Sequence, residues 1–222
     1  MRPKSNKAQG RSKLDGFPPR RTSANRPEKV RILIVGEGQE TEPNYFRGLR
    51  DEPIVRERYA ITVKGAHGFS QDAVVKETIK HKARGDYDEV WCIVDVEGPS
   101  KAENLSLACN LATKHNIILW LSNPCIEVWF LLHLVRQARR YNDGSAVEAA
   151  LQKHWAKRFG NDYQKSDDNI YRKLRPLLLT AIEHAQWVLE KHHKADSSRD
   201  CNSSTDLYRA ILRLMPDGIP DR

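Results

Sequence analysis

Three carboxylates stand where two apolar segments end, and their spacing is suited to binding a cation. Glu37 follows the apolar run RILIVG and has a glycine on each side. Asp95 and Glu97 end the run VWCIV, and a glycine follows Glu97. Residues two apart on a strand point to the same side, so Asp95 and Glu97 are predicted to share one face. If the two segments are neighbouring parallel strands, all three side chains converge at the carboxyl edge of the sheet.

Clustered carboxylates repel one another unless a cation lies between them. An all-oxygen ligand set suits Mg²⁺ or Mn²⁺, and such an ion commonly acts on phosphates. The sequence therefore predicts a metal site made by Glu37, Asp95 and Glu97. The alternative interpretation is that each acid is an ordinary solvated turn residue, and spacing alone leaves the two interpretations open.

The elements that must position these acids alternate between strand and helix patterns. Strands are predicted at 30–35, 59–64, 88–96 and 116–122, and a helical pattern follows each of them. This order is typical of an α/β fold with a parallel sheet and right-handed crossovers. Thr41 and Ser70 are predicted to cap the first two helices, and Pro124 to open the fourth.

After about residue 141 the sequence predicts helices alone, at 145–159, 168–194 and 204–215. The predicted fold is therefore a four-stranded parallel sheet with helices on both faces and a helical C-terminal part. We divide the chain into a disordered basic tail (1–29), an α/β domain (30–140) and a helical region packed on that domain (141–222).

Positive charge is concentrated at the N-terminus. The 222-residue chain has a net charge of +8, of which residues 1–29 carry nine Lys/Arg and two acids. The remainder is nearly neutral, with 28 basic and 27 acidic residues. The tail has almost no large apolar residue and is predicted to be disordered. It is either an arm that contacts nucleic-acid phosphates or a solubilising tail.

The cysteine pattern and the apolar runs predict a cytoplasmic protein without a membrane anchor. The four cysteines form no CxxC pair, so we expect reduced and mostly buried thiols. A zinc site of Cys201 with His192 and His193 matches no standard spacing. No run approaches the roughly 18 apolar residues of a membrane helix, and no secretory signal is present.

Other polar residues are weaker candidates. Glu127 falls in a first helical turn among apolar neighbours; it either points back to the carboxylate site, which we favour, or caps its own helix. Thr41 and Glu42 are expected to serve helix capping rather than chemistry. His133 has only apolar neighbours and is interpreted as a core or rim histidine. The tryptophans are expected to pack in the core rather than stack on bases.

A Glu-Gly turn after the first strand and an Asp-x-Glu after a later one resemble the Toprim fold. Five ordered segments are, more specifically, similar to the RloB-like (AbiLii-related) family over about residues 32–214: ILIVGEGQETEPNYFRGL, VWCIVDVEG, LSNPCIEVWFLLHL, YQKSDDNIYRKL and NSSTDLYRAI. The resemblance implies a Toprim-type domain found in restriction-linked, phage-defence and abortive-infection loci. It also implies metal-dependent cleavage of DNA or RNA, with an ATPase partner of the RloA type.

The same resemblance implies roles for individual residues. Glu37 would be the first-strand acid, acting as a general acid/base or metal ligand, and Asp95 the principal metal ligand. Glu97 occupies a position where the Toprim pattern has aspartate, so the charge is kept but the side chain is one methylene longer. Lys165 falls at a lysine of the family pattern and would contact a phosphate; the alternative is an exposed loop lysine. Glu127 joins them as a catalytic candidate.

Three functions follow from these observations. The first is a Mg²⁺- or Mn²⁺-dependent nuclease of anti-phage defence. The second is a non-catalytic nucleic-acid-binding or regulatory subunit that uses the basic tail as an electrostatic arm. A primase-like polymerase is a weaker third, because the sequence has neither a zinc ribbon nor a Gly-Lys-Ser/Thr loop. The choice of DNA or RNA, the activating trigger and oligomerisation stay open.

Overall fold

A computed structural model describes residues 28–67, 70–98, 101–192 and 201–220, and it contains one five-stranded sheet. The strand order is β2-β1-β3-β4-β5. The first four strands pair in parallel and β5 pairs antiparallel to β4. Their bounds are β1 Val30–Gly36, β2 Tyr59–Gly65, β3 Glu89–Asp95, β4 Ile118–Asn123 and β5 Ser204–Thr205.

Helices cover the two faces of this sheet. Their bounds in the described ranges are α1 Thr41–Arg50, α2 Pro53–Arg58, α3 Gln71–Lys82, α4 Ala102–Lys114, α5 Glu127–Leu134, α6 Gly144–Phe159, α7 Ile170–Leu174, α8 Leu178–Lys191 and α9 Leu207–Leu214. The predicted α/β class and the parallel pairing are confirmed. In the part of the chain that the structure describes, no helix is long and apolar enough to span a bilayer.

The central strands are apolar along their whole length because both of their faces are buried. Ile32 and Ile34 of β1 join a large core with α1 and the helices from α5 onward. Leu33 and Val35 point the other way, into a smaller core under α3 and α4. This sandwich fixes β1 and β3 side by side and so fixes where their carboxyl ends lie.

The prediction of four strands is wrong by one. β5 contains only two residues, both polar, so it carries no hydrophobic period from which a strand can be predicted. The pairing is specified instead by tertiary contacts: Thr205 lies opposite Ser122, and their hydroxyl oxygens are 2.8 Å apart. The helix predicted to begin at residue 204 therefore begins at Leu207.

Two smaller predictions also need correction. The helix predicted over 168–194 is divided into α7, a 3₁₀ turn over Arg175–Leu177 and α8, because Pro176 has no N–H to continue an α-helical ladder. Neither predicted cap makes a capping hydrogen bond. The Thr41 hydroxyl donates to the Lys165 carbonyl, and the Ser70 hydroxyl donates to Asp72. The predicted basic tail lies almost entirely outside the described residues.

A buried ion pair fastens the 3₁₀ turn to the loop that leads into α2. Arg175 Nε lies 3.0 Å from Glu52 Oε1, with only 7% and 3% of the two side chains exposed. We expect Arg175→Met to lower the free energy of unfolding by about 3–5 kcal/mol, because it leaves the Glu52 charge buried without its cation. Urea denaturation measures this loss. Adding Glu52→Gln should restore much of the stability, and a double variant as unstable as the single one would contradict the electrostatic cause.

Candidate active site

The carboxyl ends of β1 and β3 bring two of the predicted acids together. The two strands are hydrogen-bonded neighbours, as the convergence of the carboxylates requires. Glu37 is the first residue after β1, and Asp95 is the last residue of β3. Oε2 of Glu37 accepts the backbone N–H of Asp95 at 3.1 Å. Glu37 is thus tied to the strand that carries its neighbouring acid.

Glu97 also lines the cleft, but it does so from the turn after β3 and not from the strand itself, as the prediction assumed. The strand has already ended at Asp95, and Glu97 adopts a left-handed backbone conformation with φ of 55°. Its N–H donates to the Pro124 carbonyl at 2.9 Å. Its Oε2 accepts from Gln71 Nε2 and lies 3.2 Å from Lys101 Nζ. Glu97 is therefore the most solvated of the predicted ligands and has a cation beside it.

Glu42 is the site residue that sequence reasoning missed. Glu42 does more than the predicted helix capping, because its Oε2 accepts the N–H of Gly38, which lies outside α1, at 3.1 Å. Only 4% of the residue is exposed. A Cβ at Gly36 would lie 2.5 Å from Glu42 Cβ, and one at Gly38 would lie 2.8 Å from its Oε2. Gly36 is needed because the Cβ of Glu42 packs directly against it, whereas at Gly38 only the end of the Glu42 side chain would have to move.

The sequence did carry a signal for Glu42. Glu42 shares one helical face with Tyr45, Phe46 and Leu49, since these positions follow the i, i+3, i+4, i+7 pattern. A carboxylate on the buried face of an amphipathic helix requires a specific partner, whereas a capping residue lies at the solvated end.

Glu127 and Lys165 meet on the opposite wall of the cleft. Of the two alternatives for Glu127, the structure agrees with the first, because its side chain lines the cleft. Oε1 of Glu127 accepts the Tyr163 hydroxyl at 3.2 Å and lies 3.6 Å from Lys165 Nζ. The same lysine also pairs with Glu148. Lys165 is thus neither a free loop lysine nor, in this state, an unpaired cation.

The cleft has a volume of about 700 Å³ and is strongly acidic. It is lined by seven acids (Glu37, Glu42, Asp95, Glu97, Glu127, Asp143, Glu148) and by two lysines, Lys101 and Lys165. Such an excess of negative charge repels a phosphate group unless cations enter with it. The cleft in its present state is therefore suited to cations.

Burial and mutual repulsion raise the pKa of three of these acids. The pKa of Asp95 lies well above its usual value, first because the group is buried and then because Glu42, Glu37 and Glu127 are near. Burial likewise raises the pKa of Glu42 to about 7. Burial also raises the pKa of Glu37, an effect that the hydrogen bond from Asp95 N–H opposes. Each shift marks a group whose negative charge lacks compensation.

Asp95 supplies the observation that fits a metal ion. Its Oδ1 atom is buried and has no hydrogen-bond partner among the described residues. Buried acceptors are nearly always paired, so an orphaned carboxylate oxygen among further carboxylates matches the preference of Mg²⁺ and Mn²⁺ for oxygen ligands. The side chains are not preassembled: within the described ranges no three Asp, Glu, His or Cys groups already form a metal-binding set.

The physical reason is that neighbouring carboxylates use other donors in this state. Glu37 bonds to the Asp95 backbone, Glu42 to the Gly38 backbone and Glu97 to Gln71. Binding of an ion by these residues would require some of their oxygens to exchange a hydrogen bond for a metal bond. The donor chemistry therefore fits a hard divalent ion.

The remaining predicted residues lie elsewhere. His133 is buried as expected, and Trp91, Trp129 and Trp155 are fully buried core residues. All four cysteines are free thiols. The tentative zinc ligand His193 falls outside the described residues, so that alternative stays untested.

Comparison with known proteins identifies one family. No curated protein and no solved structure matches the chain. The profile of one family, described as RloB-like protein, matches residues 32–214. The match runs from β1 to the last residue of α9 and includes every candidate residue of the cleft. The chain therefore belongs to the RloB-like protein family.

Proposed function

We propose that this chain is a divalent-metal-dependent nuclease that cleaves phosphodiester bonds of DNA or RNA in the carboxylate cleft. The observation that carries the proposal is the buried, unpartnered Oδ1 of Asp95, whose charge is repelled by four glutamates: Glu37, Glu42, Glu97 and Glu127. Oxygen atoms of structural carboxylates are hydrogen-bonded or solvated, and within the described ranges Asp95 Oδ1 is neither. A site that accumulates uncompensated negative charge is suited to a cation and, through it, to a phosphate.

Asp95, Glu97 and Glu37 are the residues that would hold the ion. Asp95 is rigidly placed at the end of β3, whereas Glu97 is more exposed and can adjust. When bound, the ion would supply Lewis-acid neutralisation of phosphate charge. The Toprim-like character of the site is supported by two sequence features: a Glu-Gly turn after β1 and an Asp-x-Glu at the end of β3.

Two lysines in the cleft supply the positive charge that a phosphodiester backbone requires. Lys101 lies beside Glu97, and Lys165 lies between Glu127 and Glu148. Both ammonium groups exchange partners easily because each is partly exposed. In the proposed complex, Lys165 would turn from its carboxylates towards a phosphate oxygen, and Glu127 would stay anchored by the Tyr163 hydroxyl.

The biological setting rests on the family resemblance alone. RloB-like proteins resemble components of restriction-linked and abortive-infection loci, which supports a role in anti-phage defence. A nuclease that acts on cellular nucleic acid needs a trigger, and an ATPase of the RloA type is the proposed partner. The proposed role in defence assigns no further residue to the cleft.

The test is Mn²⁺ binding measured by calorimetry, followed by a cleavage screen on DNA and RNA. We expect the wild-type chain to bind Mn²⁺ and the double variant Asp95→Asn, Glu97→Gln to lose that binding. Glu37→Gln should keep the fold, since a glutamine oxygen also accepts the Asp95 N–H, and should lose cleavage. The matched control is Asp86→Asn, Glu103→Gln, which removes the same two charges from exposed positions outside the cleft.

Equal Mn²⁺ affinity in the wild type and the Asp95/Glu97 variant would place the ion elsewhere and overturn the site. Full cleavage by Glu37→Gln would remove that residue from the mechanism. If the control variant loses Mn²⁺ binding as well, the loss comes from the change in overall charge. It then gives no support to a metal site in the cleft.

The alternative is a non-catalytic nucleic-acid-binding or regulatory subunit, and one observation favours it. The described acids do not form a preassembled metal set and are held by other donors. In that case the +7 tail would supply the affinity, and deleting residues 1–29 should remove most of the salt-dependent binding to nucleic acid. Salt-dependent binding that survives the deletion, together with Mn²⁺-dependent cleavage, would exclude this alternative.

A further inference from the structure

A buried glutamine lies behind the carboxylate cleft and contacts two of its residues. Gln71 is the first residue of α3 and has no exposed surface. Its Nε2 donates to the backbone carbonyl of Asp95 at 3.1 Å and to Oε2 of Glu97 at 3.2 Å. The described cleft-lining residues do not include Gln71. It therefore contacts the predicted metal ligands from the interior of the protein and can affect a bound ion only through them.

The orientation of the Gln71 amide follows from its neighbours. A backbone carbonyl and a carboxylate only accept hydrogen bonds, so the amide nitrogen must face them. Its oxygen, Oε1, is buried and has no hydrogen-bond partner in the part of the chain that the structure describes. A buried acceptor without a partner lowers the stability of the folded chain. Stability alone therefore favours an apolar side chain of the same length, and the amide needs another explanation.

Glu97 is the predicted ligand that most needs to be held in place. It lies in the turn after β3, and 41% of its side chain is exposed. Lys101, whose Nζ lies 3.2 Å from Glu97 Oε2, is itself 37% exposed and gives only a weak restraint. Gln71 is held more firmly, because its helix packs on β1 and β3 through Val74 and Val75. The glutamine is thus the rigid support of an otherwise exposed carboxylate.

We propose that Gln71 positions the Glu97 carboxylate for the divalent ion of the cleft. Gln71 has this role only if Glu97 is a metal ligand, so the inference rests on the proposed function. A ligand carboxylate that is hydrogen-bonded from behind keeps one orientation, and loss of such a supporting bond typically weakens metal binding. Because the same Nε2 also donates to the Asp95 carbonyl, Gln71 ties Glu97 to the end of β3. Gln71 is a positioning residue and not a ligand, since its orphaned Oε1 is inaccessible.

The experiment is calorimetric titration of the full-length chain with Mn²⁺. Gln71→Met keeps the length of the side chain but removes its donor, and we expect Mn²⁺ binding to weaken about tenfold or more. The midpoint of urea unfolding with chelator present should stay close to that of the wild type, because the orphaned Oε1 is removed together with the two hydrogen bonds. The matched control Thr78→Val removes a polar group from another fully buried position of α3 outside the cleft, and it should bind Mn²⁺ as the wild type does.

A second background separates the positioning of Glu97 from a general effect on packing. In Glu97→Ala the carboxylate is absent, so adding Gln71→Met should change Mn²⁺ affinity by less than about twofold. Water-proton relaxation detects weakly bound Mn²⁺ and is used for this pair of variants. A purely structural role of Gln71 would weaken binding equally in both backgrounds. If Gln71→Met does not fold, Gln71→Asn takes its place, since it keeps the amide but draws it back by one methylene.

Three results would overturn the inference: Mn²⁺ affinity of Gln71→Met equal to that of the wild type, an equal loss with and without Glu97, or an equal loss in Thr78→Val. Failure of the proposed function gives a different result, in which the wild type binds no Mn²⁺ or the Asp95→Asn, Glu97→Gln variant binds it equally well. Gln71 then has no ion to position, and both proposals fall. Loss of affinity in Gln71→Met and in the Asp95/Glu97 variant, but not in Thr78→Val, supports both.

Discussion

An Asp95→Asn variant is expected to lose metal-dependent cleavage almost completely and yet to be more stable than the wild-type chain. The loss should be about 10³-fold or more, because a principal metal ligand contributes several kcal/mol to charge neutralisation at the phosphate. This expectation rests on the proposed nuclease function. The gain in stability rests only on the structure of the metal-free protein.

The gain follows from the surroundings of Asp95. Its carboxylate is buried, its Oδ1 has no hydrogen-bond partner among the described residues, and Glu42, Glu37 and Glu127 repel its charge. An amide of the same shape removes the charge and offers N–H donors to these neighbouring carboxylates. We expect about 1–2 kcal/mol of added stability, the size of a typical stabilising substitution. Urea unfolding in the presence of a chelator measures this gain.

The control for Asp95→Asn is Asp86→Asn, at an exposed position before the amino end of β3. It should change neither cleavage nor stability appreciably, since exposed ion pairs contribute little. Retained cleavage by Asp95→Asn would exclude it as a metal ligand. Lower stability of the variant would show that the Asp95 charge is compensated in a way that the structure does not reveal.

A Glu42→Gln variant is expected to lose much of the pH dependence of stability in the metal-free protein. The pKa of Glu42 is raised from 4.5 to about 7 by burial. The folded chain therefore keeps a proton that the unfolded chain releases, and stability falls as pH rises from about 4.5 to about 7. Across that window the loss due to Glu42 is about 3 kcal/mol.

The glutamine variant has no proton to release at this position, and its carbonyl oxygen still accepts the Gly38 N–H. We therefore expect wild type and Glu42→Gln to be about equally stable near pH 4, and the variant to be about 3 kcal/mol more stable near pH 8. Asp95 and Glu37 also have raised pKa values, so the variant should keep a residual slope of the same sign.

Urea unfolding at several pH values, with chelator present, measures this difference directly. The control is Glu103→Gln, an exposed acid in the first turn of α4. Its stability should follow the wild-type curve throughout. A constant offset between wild type and Glu42→Gln, independent of pH, would mean that the effect comes from packing rather than from proton binding.

The sequence predicted the parts of the fold that are governed by hydrophobic period. β1, β3 and α6 lie within two residues of their predicted bounds, because long apolar patterns determine them. β5 was missed since two polar residues have no period, and Glu42 was missed since a carboxylate in a first helical turn usually serves the helix end. β5 depends on contacts between residues distant in sequence, which local patterns do not encode, whereas Glu42 lies on the buried face of α1, a position that the helical pattern does encode.

The sequence predicted which acids line the site but not how their side chains are arranged. Glu37, Asp95 and Glu97 do line one cleft, as the strand ends suggested. The left-handed turn at Glu97 and the pairing of Lys165 with Glu127 and Glu148 could not be predicted, because both depend on chain segments that meet only in the folded protein.

The composition of the large core limits how early the chain can fold during its synthesis. Ile32 and Ile34 belong to the same buried cluster as Leu214 and Met215, close to the two ends of the described chain. Chains fold as they leave the ribosome, but this cluster cannot close until α9 has been made. A nascent chain that has passed Glu148 but lacks α9 therefore carries the acids of the cleft together with an incomplete core. The core therefore closes only after α9 has been made, whereas the last described residue that lines the cleft is Lys165.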